Sequence, residues 1–139
     1  MWEMAVILSS CIKAELLDWA SKAGTEEVCG LLLGQGNFVE QAVLTQNVAE
    51  SRTRHFEIDP KALLAANKAS RSGGPQIVGY FHSHPDPVEP VPSDTDIASA
   101  ANDGRFWLII GCGEVKAWLP RPDGDGKIEA FEPVAIIEG

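Results

Sequence analysis

Cysteine is sparse in this chain: Cys11, Cys29 and Cys112 are odd in number and far apart. That pattern offers no disulfide framework and points to a reducing, cytoplasmic compartment. Basic residues are also few, 11 Lys and Arg against 20 Asp and Glu, for a formal charge of −9. Such a chain is not drawn to nucleic acid or an anionic membrane, which leaves basic or neutral macromolecules as partners. Long apolar runs are missing. The start, Met1-Trp2-Glu3-Met4-Ala5-Val6-Ile7-Leu8, has no basic segment and too short an apolar stretch for a signal peptide or membrane span. Internal repeats and low-complexity tracts are absent too. What is present is 139 residues, 45% of them hydrophobic, enough for a single domain over residues 1–139 with a buried core.

Local signals divide the chain into alternating elements. Ala5 to Leu8 reads as a strand, and Ser9 or Ser10 caps a helix with Ile12, Leu16, Leu17 and Ala20 at helical spacing, ended by Gly24. Glu27 to Leu33 reads as a central strand closed by Gly34 and Gly36, with Phe38 to Leu44 pairing back as a hairpin. Asp59-Pro60 opens a helix that runs to Gly73-Gly74. Ile77 to Phe81 is a buried strand, residues 85–92 a Pro-rich loop, and Asp94 to Asn102 a short helix with Ile97, Ala98 and Ala101 inward. Phe106 to Ile110, Val115 to Leu119 and Lys127 to Phe131 read as further strands. Trp2, Trp19, Trp107 and Trp118 are read as packing residues. Strands and helices intermix, which predicts an α/β fold with a sheet flanked by helices.

The chemistry concentrates in His82-Ser83-His84-Pro85 and Ser93-Asp94-Thr95-Asp96. Side chains alternate along a strand, so Val78, Tyr80, His82 and His84 are expected on one face, with both imidazoles at the strand's C-terminal end. Asp96 adds a carboxylate. Two imidazoles and a carboxylate suit a Zn²⁺ that keeps its fourth position for water. Ser93-x-x-Asp96 is also a capping-box pattern; a helix start would make a rigid platform for Asp96. Hydrolysis needs a second carboxylate to move a proton, and Glu27 is the candidate, since alternation turns its neighbour Glu26 away. Cys29 shares Glu27's face and is read as a packed side chain. Arg52-Thr53-Arg54-His55 is read as a solvated basic loop, with a substrate-carboxylate contact as the alternative.

Together these residues resemble the JAMM, or MPN-plus, metalloprotease family. The family's ordered pattern appears as Glu27-Val28-Cys29-Gly30, then His82-Ser83-His84-Pro85, then Ser93-Asp94-Thr95-Asp96, and Phe56-Glu57-Ile58-Asp59-Pro60 resembles the segment before its middle helix. The resemblance implies a mixed sheet with helices on both sides, similar to that of cytidine deaminases. It implies one zinc per chain held by His82, His84 and Asp96, with Glu27 as general base and acid and Ser93 stabilising the oxyanion. It implies a short, stand-alone bacterial-type peptidase or isopeptidase. Its substrate would be the C-terminal Gly-Gly tail of a ubiquitin-like or sulfur-carrier protein. The chain has no room for the insertions and extra Cys/His ligands of members specialised for polyubiquitin. One departure stands out: the loop between His84 and Ser93 holds eight residues, one more than the commonest family spacing. Two other classes are weighed. A non-catalytic scaffold of the same fold would lack ligands that this chain retains. A non-haem iron enzyme would use the same donor types, but the order of ligands disfavours it. Oligomeric state has no signature in the sequence.

Overall fold

A computed structural model of the chain describes residues 5–139, so Trp2 lies outside the described residues. Strand β1 (Ala5–Leu8) leads into helix α1 (Ser10–Lys22), where Ser9 Oγ accepts the Ile12 N–H at 3.2 Å as the N-cap. Strands β2 (Cys29–Gln35) and β3 (Phe38–Thr45) form the expected hairpin around Gly36, whose φ of +61° suits a residue without Cβ. Asp59 Oδ1 accepts the Lys61 N–H at 3.0 Å and caps α2 (Pro60–Arg71), with Pro60 at its first turn. Next come β4 (Gln76–Ser83), α3 (Asp94–Ser99), β5 (Phe106–Gly111), β6 (Glu114–Pro122) and β7 (Ile128–Glu138). Among the described residues no helix is long and apolar enough to cross a membrane.

The sheet is mixed, as expected, but it closes on itself in the order β1-β3-β2-β4-β5-β6-β7. Helices on both sides of a layer describe an open sheet, and this is a ring. Closure comes from parallel pairing of β7 with β1, from Ala5↔Ala135 to Leu8↔Glu138. The same pairing carries β7 past Phe131, where it was expected to stop. Other boundaries move as well. β2 begins at Cys29, two residues after Glu27. Helix α3 stops at Ser99, because Asp103 Oδ1 takes the Arg105 N–H at 3.0 Å and Gly104 turns the chain at φ +72°. Ala98 and Ala101 are exposed; the buried residue of α3 is Asp96.

The main core gathers one face of the strands around α1. Val6, Leu8, Leu32, Val39, Phe81, Leu108, Ile110 and Ala117 pack with Leu16, and Trp19 stacks on Phe81 at 5.7 Å. Gly30 has no room for a side chain, since a Cβ there would collide with the Val43 carbonyl and the Phe81 ring. Val78 belongs to this core and not to the histidine face. The register between β2 and β4 shifts from Leu32↔Gly79 to Leu33↔Ile77, so Val78 is the extra residue of a bulge that reverses its side. Tyr80 and His82 stay on the opposite face, in rows Leu31-Tyr80-Trp107 and Cys29-His82-Ile109. β4 is therefore buried on both faces, which accounts for its continuous apolar run.

Candidate metal centre

The end of β4 sets the two imidazoles. His82 lies inside the strand, paired with Cys29 and Ile109. His84 stands one residue past it, yet its N–H still bonds the Ile110 carbonyl at 2.7 Å and prolongs the pairing. Ser83 points the other way, where its Oγ accepts the Val28 N–H at 2.9 Å and anchors the segment after Glu27. The loop of residues 85–92 is pinned despite its extra residue. Trp118 Nε1 donates to the Pro90 carbonyl at 3.1 Å, and Gly111 lies so close to the Val88 carbonyl that a side chain would not fit. The loop delivers the chain to α3 through the full capping box: Ser93 Oγ accepts the Asp96 N–H at 3.1 Å, and Asp96 Oδ2 accepts the Ser93 N–H at 3.0 Å.

Three donor atoms meet there. His82 Nε2 and His84 Nε2 are 3.3 Å apart, and each is 3.2 Å from Asp96 Oδ2. Tetrahedral zinc with bonds of about 2.0–2.1 Å holds its ligand atoms roughly 3.3 Å from one another, so this triangle has the size such an ion needs. His84 Nδ1 donates to the Glu89 carbonyl at 2.7 Å, so in the neutral ring Nε2 carries the lone pair that a metal would use. All three residues are buried. Among the described residues they form the one cluster of His, Cys, Asp or Glu side chains sized for a metal.

Charge follows from burial and contact. Burial holds the His82 imidazole below its ordinary value. It pulls His84 the same way, but hydrogen bonds to Asp96 and Glu89 outweigh it and raise that ring. Burial would raise the Asp96 carboxyl; hydrogen bonds from both histidines overturn this and hold it well below the usual carboxylate range.

Glu27 lies beside this cluster with its side chain buried and Oε1 without a hydrogen-bond partner. Its backbone is clamped: the N–H donates to the Arg52 carbonyl at 2.7 Å, and its carbonyl accepts from Asn47 Nδ2 at 2.9 Å. Neighbouring Glu26 turns outward to Arg52 at 2.8 Å, although both glutamates precede the strand and alternation within β2 does not reach them. Burial pushes the Glu27 carboxyl up to about 7, helped by Asp96 and opposed by His84. The metal-free native state therefore binds this proton more tightly than the unfolded chain does. The resulting stabilisation is complete below the ordinary value of 4.5 and is lost as pH rises through about 7. With a chelator present, the melting temperature of Glu27→Gln should rise relative to wild type between about pH 5 and about pH 8. A constant difference across that range, followed by calorimetry, would contradict the assignment.

Ser93 is exposed at the mouth, and its Oγ serves as acceptor for the cap, leaving its hydrogen free to donate. Cys29 is buried beside His82 but lies outside the cluster. Burial pushes its thiol up to about 11, so it stays protonated and packs near Thr45 Oγ1 at 3.7 Å. The basic patch at 52–55 is solvated, but its backbone matters, since Arg52 holds Glu27 and His55 accepts from Asn47. Asn47, Phe56 and Glu89 were not singled out by the sequence. No local pattern marks a lone Asn or a loop carbonyl, although Phe56 falls in the segment that resembles the approach to the middle helix.

The chain is also similar to known proteins. The family described as prokaryotic homologs of the JAB domain matches residues 10–121. A desampylase of Haloferax volcanii is 39% identical over 85 residues, 60% of this chain and 60% of that protein. The match thus spans under two thirds of the desampylase. A Thermus thermophilus protein named "Probable TtuB-protein conjugate cleaving protease" is 34% identical over 81% of this chain and 70% of its own length. A Desulfitobacterium hafniense protein known from its solution structure superposes with a TM-score of 0.76 at 32% identity, covering 98% of this chain and 93% of that one. The matched span includes the whole stretch from Glu27 to Asp96, so the resemblance read from the motifs holds: the chain belongs to the family of prokaryotic homologs of the JAB domain.

Proposed function

We propose that the chain is a zinc-dependent peptidase or isopeptidase, a single catalytic domain over residues 1–139 that works in the cytoplasm. Its substrate is the Gly-Gly tail of a ubiquitin-like or sulfur-carrier protein. The observation that carries this reading is the triangle of His82, His84 and Asp96 donor atoms, 3.2–3.3 Å apart, beside the buried Glu27, whose Oε1 has no partner. The names of the Haloferax and Thermus relatives, a desampylase and a conjugate-cleaving protease, support the same reaction class.

His82, His84 and Asp96 would hold the ion. When bound, zinc supplies a Lewis acid and makes water acidic enough to ionise near neutral pH. Glu27 takes a proton from the attacking water and returns it to the leaving amine, so one carboxylate serves both halves of the hydrolysis. A cation nearby draws the Glu27 value back down from about 7, favouring the ionised form a base requires. Ser93 offers its free hydroxyl hydrogen to the oxygen that gains charge as the carbonyl is attacked. Gly-Gly suits such a mouth because a tail without side chains lets the backbone come close.

The test is to load the full chain with zinc and incubate it with Gly-Gly-tailed carriers, fused linearly to a peptide or joined to lysine. Intact mass then locates any cut. Cleavage immediately after the second glycine is expected. Stoichiometric zinc with neither substrate cut would leave a binding scaffold as the better description.

A further inference from the structure

The two imidazoles are oriented by different means. His84 is fixed through Nδ1, which donates to the Glu89 carbonyl. His82 has no such partner: its Nδ1 is fully buried and meets no hydrogen-bonding group. When Nε2 faces a metal the ring's proton sits on Nδ1, and a buried N–H left unpaired is a cost that is relieved if the ring swings toward water or lets a water in. Something must prevent that, because the outer χ angle of His is broad. The ring of Phe56 lies on the His82 imidazole with centroids 4.2 Å apart and planes 15° from parallel. Trp107 meets the same imidazole edge-on, at 5.4 Å and 90°. His82 thus sits in a flat apolar slot that fixes its plane, and within that plane Asp96 Oδ2 selects the edge bearing Nε2.

Phe56 is itself tied down by a buried amide. Asn47 Nδ2 donates to the His55 carbonyl, and Asn47 Oδ1 accepts the Glu57 N–H, each at 3.0 Å, so the residues on both sides of Phe56 are held by one side chain. The same Nδ2 reaches the Glu27 carbonyl at 2.9 Å, and the same Oδ1 takes the Ala49 N–H at 3.0 Å. All of the amide's hydrogen-bonding capacity is used.

We propose that Phe56 is a positioning residue for metal binding by His82, standing in for the hydrogen bond that this imidazole lacks, with Asn47 as its anchor. This rests on the reading of His82 as a zinc ligand. Zinc affinity of the full chain, measured by competition with a chromogenic chelator, tests it. Phe56→Leu should weaken binding by about tenfold or more, the size of effect that partners of a ligand produce. Phe56→Tyr keeps the flat ring and should stay within about threefold of wild type. Leu63→Ala is the packing control: Leu63 lines the same cavity as Phe56 and Trp107, outside the slot, and its loss should leave affinity unchanged. The visible spectrum of the cobalt-loaded protein should change with Phe56→Leu and not with Leu63→Ala. Wild-type affinity in Phe56→Leu overturns the inference, as does equal weakening in Leu63→Ala. A wild-type chain that binds no zinc overturns the metal reading beneath it. Should Phe56→Leu fail to fold, exchange of the His82 Nδ1 proton in zinc-loaded wild type decides. A signal protected from water is expected, and fast exchange would show the slot to be open.

Discussion

Glu27→Gln is expected to leave one zinc bound per chain while cleavage of a Gly-Gly-tailed substrate falls by about 10²–10⁴-fold, the range that general acid–base catalysis supplies. The two side chains have nearly the same shape, and the backbone of residue 27 is held by Arg52 and Asn47 whatever the side chain carries. Glu27 also lies outside the triangle of donor atoms, so affinity for the ion should change little. What the amide cannot do is accept a proton. Oε1 is buried without a partner in the free protein, a poor arrangement for stability and a useful one for a group that must receive a proton from water. Turnover by Glu27→Gln within a few fold of wild type, with zinc content matched, would remove this residue from the mechanism. Loss of zinc together with turnover would instead place Glu27 among the ligands.

The sequence was most legible where chemistry is local. Asp59-Pro60 announces α2, Ser93 with Asp96 announces the cap of α3, and the glycines around residue 36 announce the β2–β3 hairpin. The spacing of His82 and His84 is likewise local, because two residues on one extended segment share a side. Long-range pairing was not legible. The ring closes only because residues 5–8 find residues 135–138, and no pattern in either segment names the other. β7 carries Pro133, which argues against a strand continuing to Val134, Ile136 and Ile137, and pairing with its two neighbours overrides that signal. The bulge at Val78 could not be read from alternation, since it is alternation that it breaks. Asp96 illustrates the same limit on α3. Helical periodicity sends Ala98 and Ala101 inward, yet the helix turns its carboxylate toward the histidines and leaves those alanines in water. Asn47 and Phe56 matter through contacts with chain 20 to 26 residues away in sequence, which local spacing does not record.

Asp96→Ala should weaken zinc binding by more than about 100-fold, beyond what loss of a ligand's outer partner costs, because a ligand itself is gone. Asp96 has two tasks, however. Its Oδ2 accepts the Ser93 N–H at 3.0 Å while standing 3.2 Å from each Nε2, so the same oxygen closes the capping box and completes the triangle. Losing a cap alone costs about 0.5–2 kcal/mol of stability. Asp96→Asn retains a side-chain oxygen for the cap but loses the charge that attracts a cation. Ser93→Ala does the reverse, losing the hydroxyl half of the cap while sparing all three donors. If Asp96 binds the ion, both Asp96 variants lose zinc in the chelator competition and Ser93→Ala keeps it. The melting temperature of the metal-free protein, in contrast, should fall for all three variants: Ser93→Ala loses half of the cap, and both Asp96 variants lose the charge-assisted bonds to the histidines. Zinc affinity that tracked the melting temperatures across the three variants would mean that the carboxylate acts only by folding the start of α3. Affinity that tracks the charge at residue 96, whatever the helix does, is what a ligand requires.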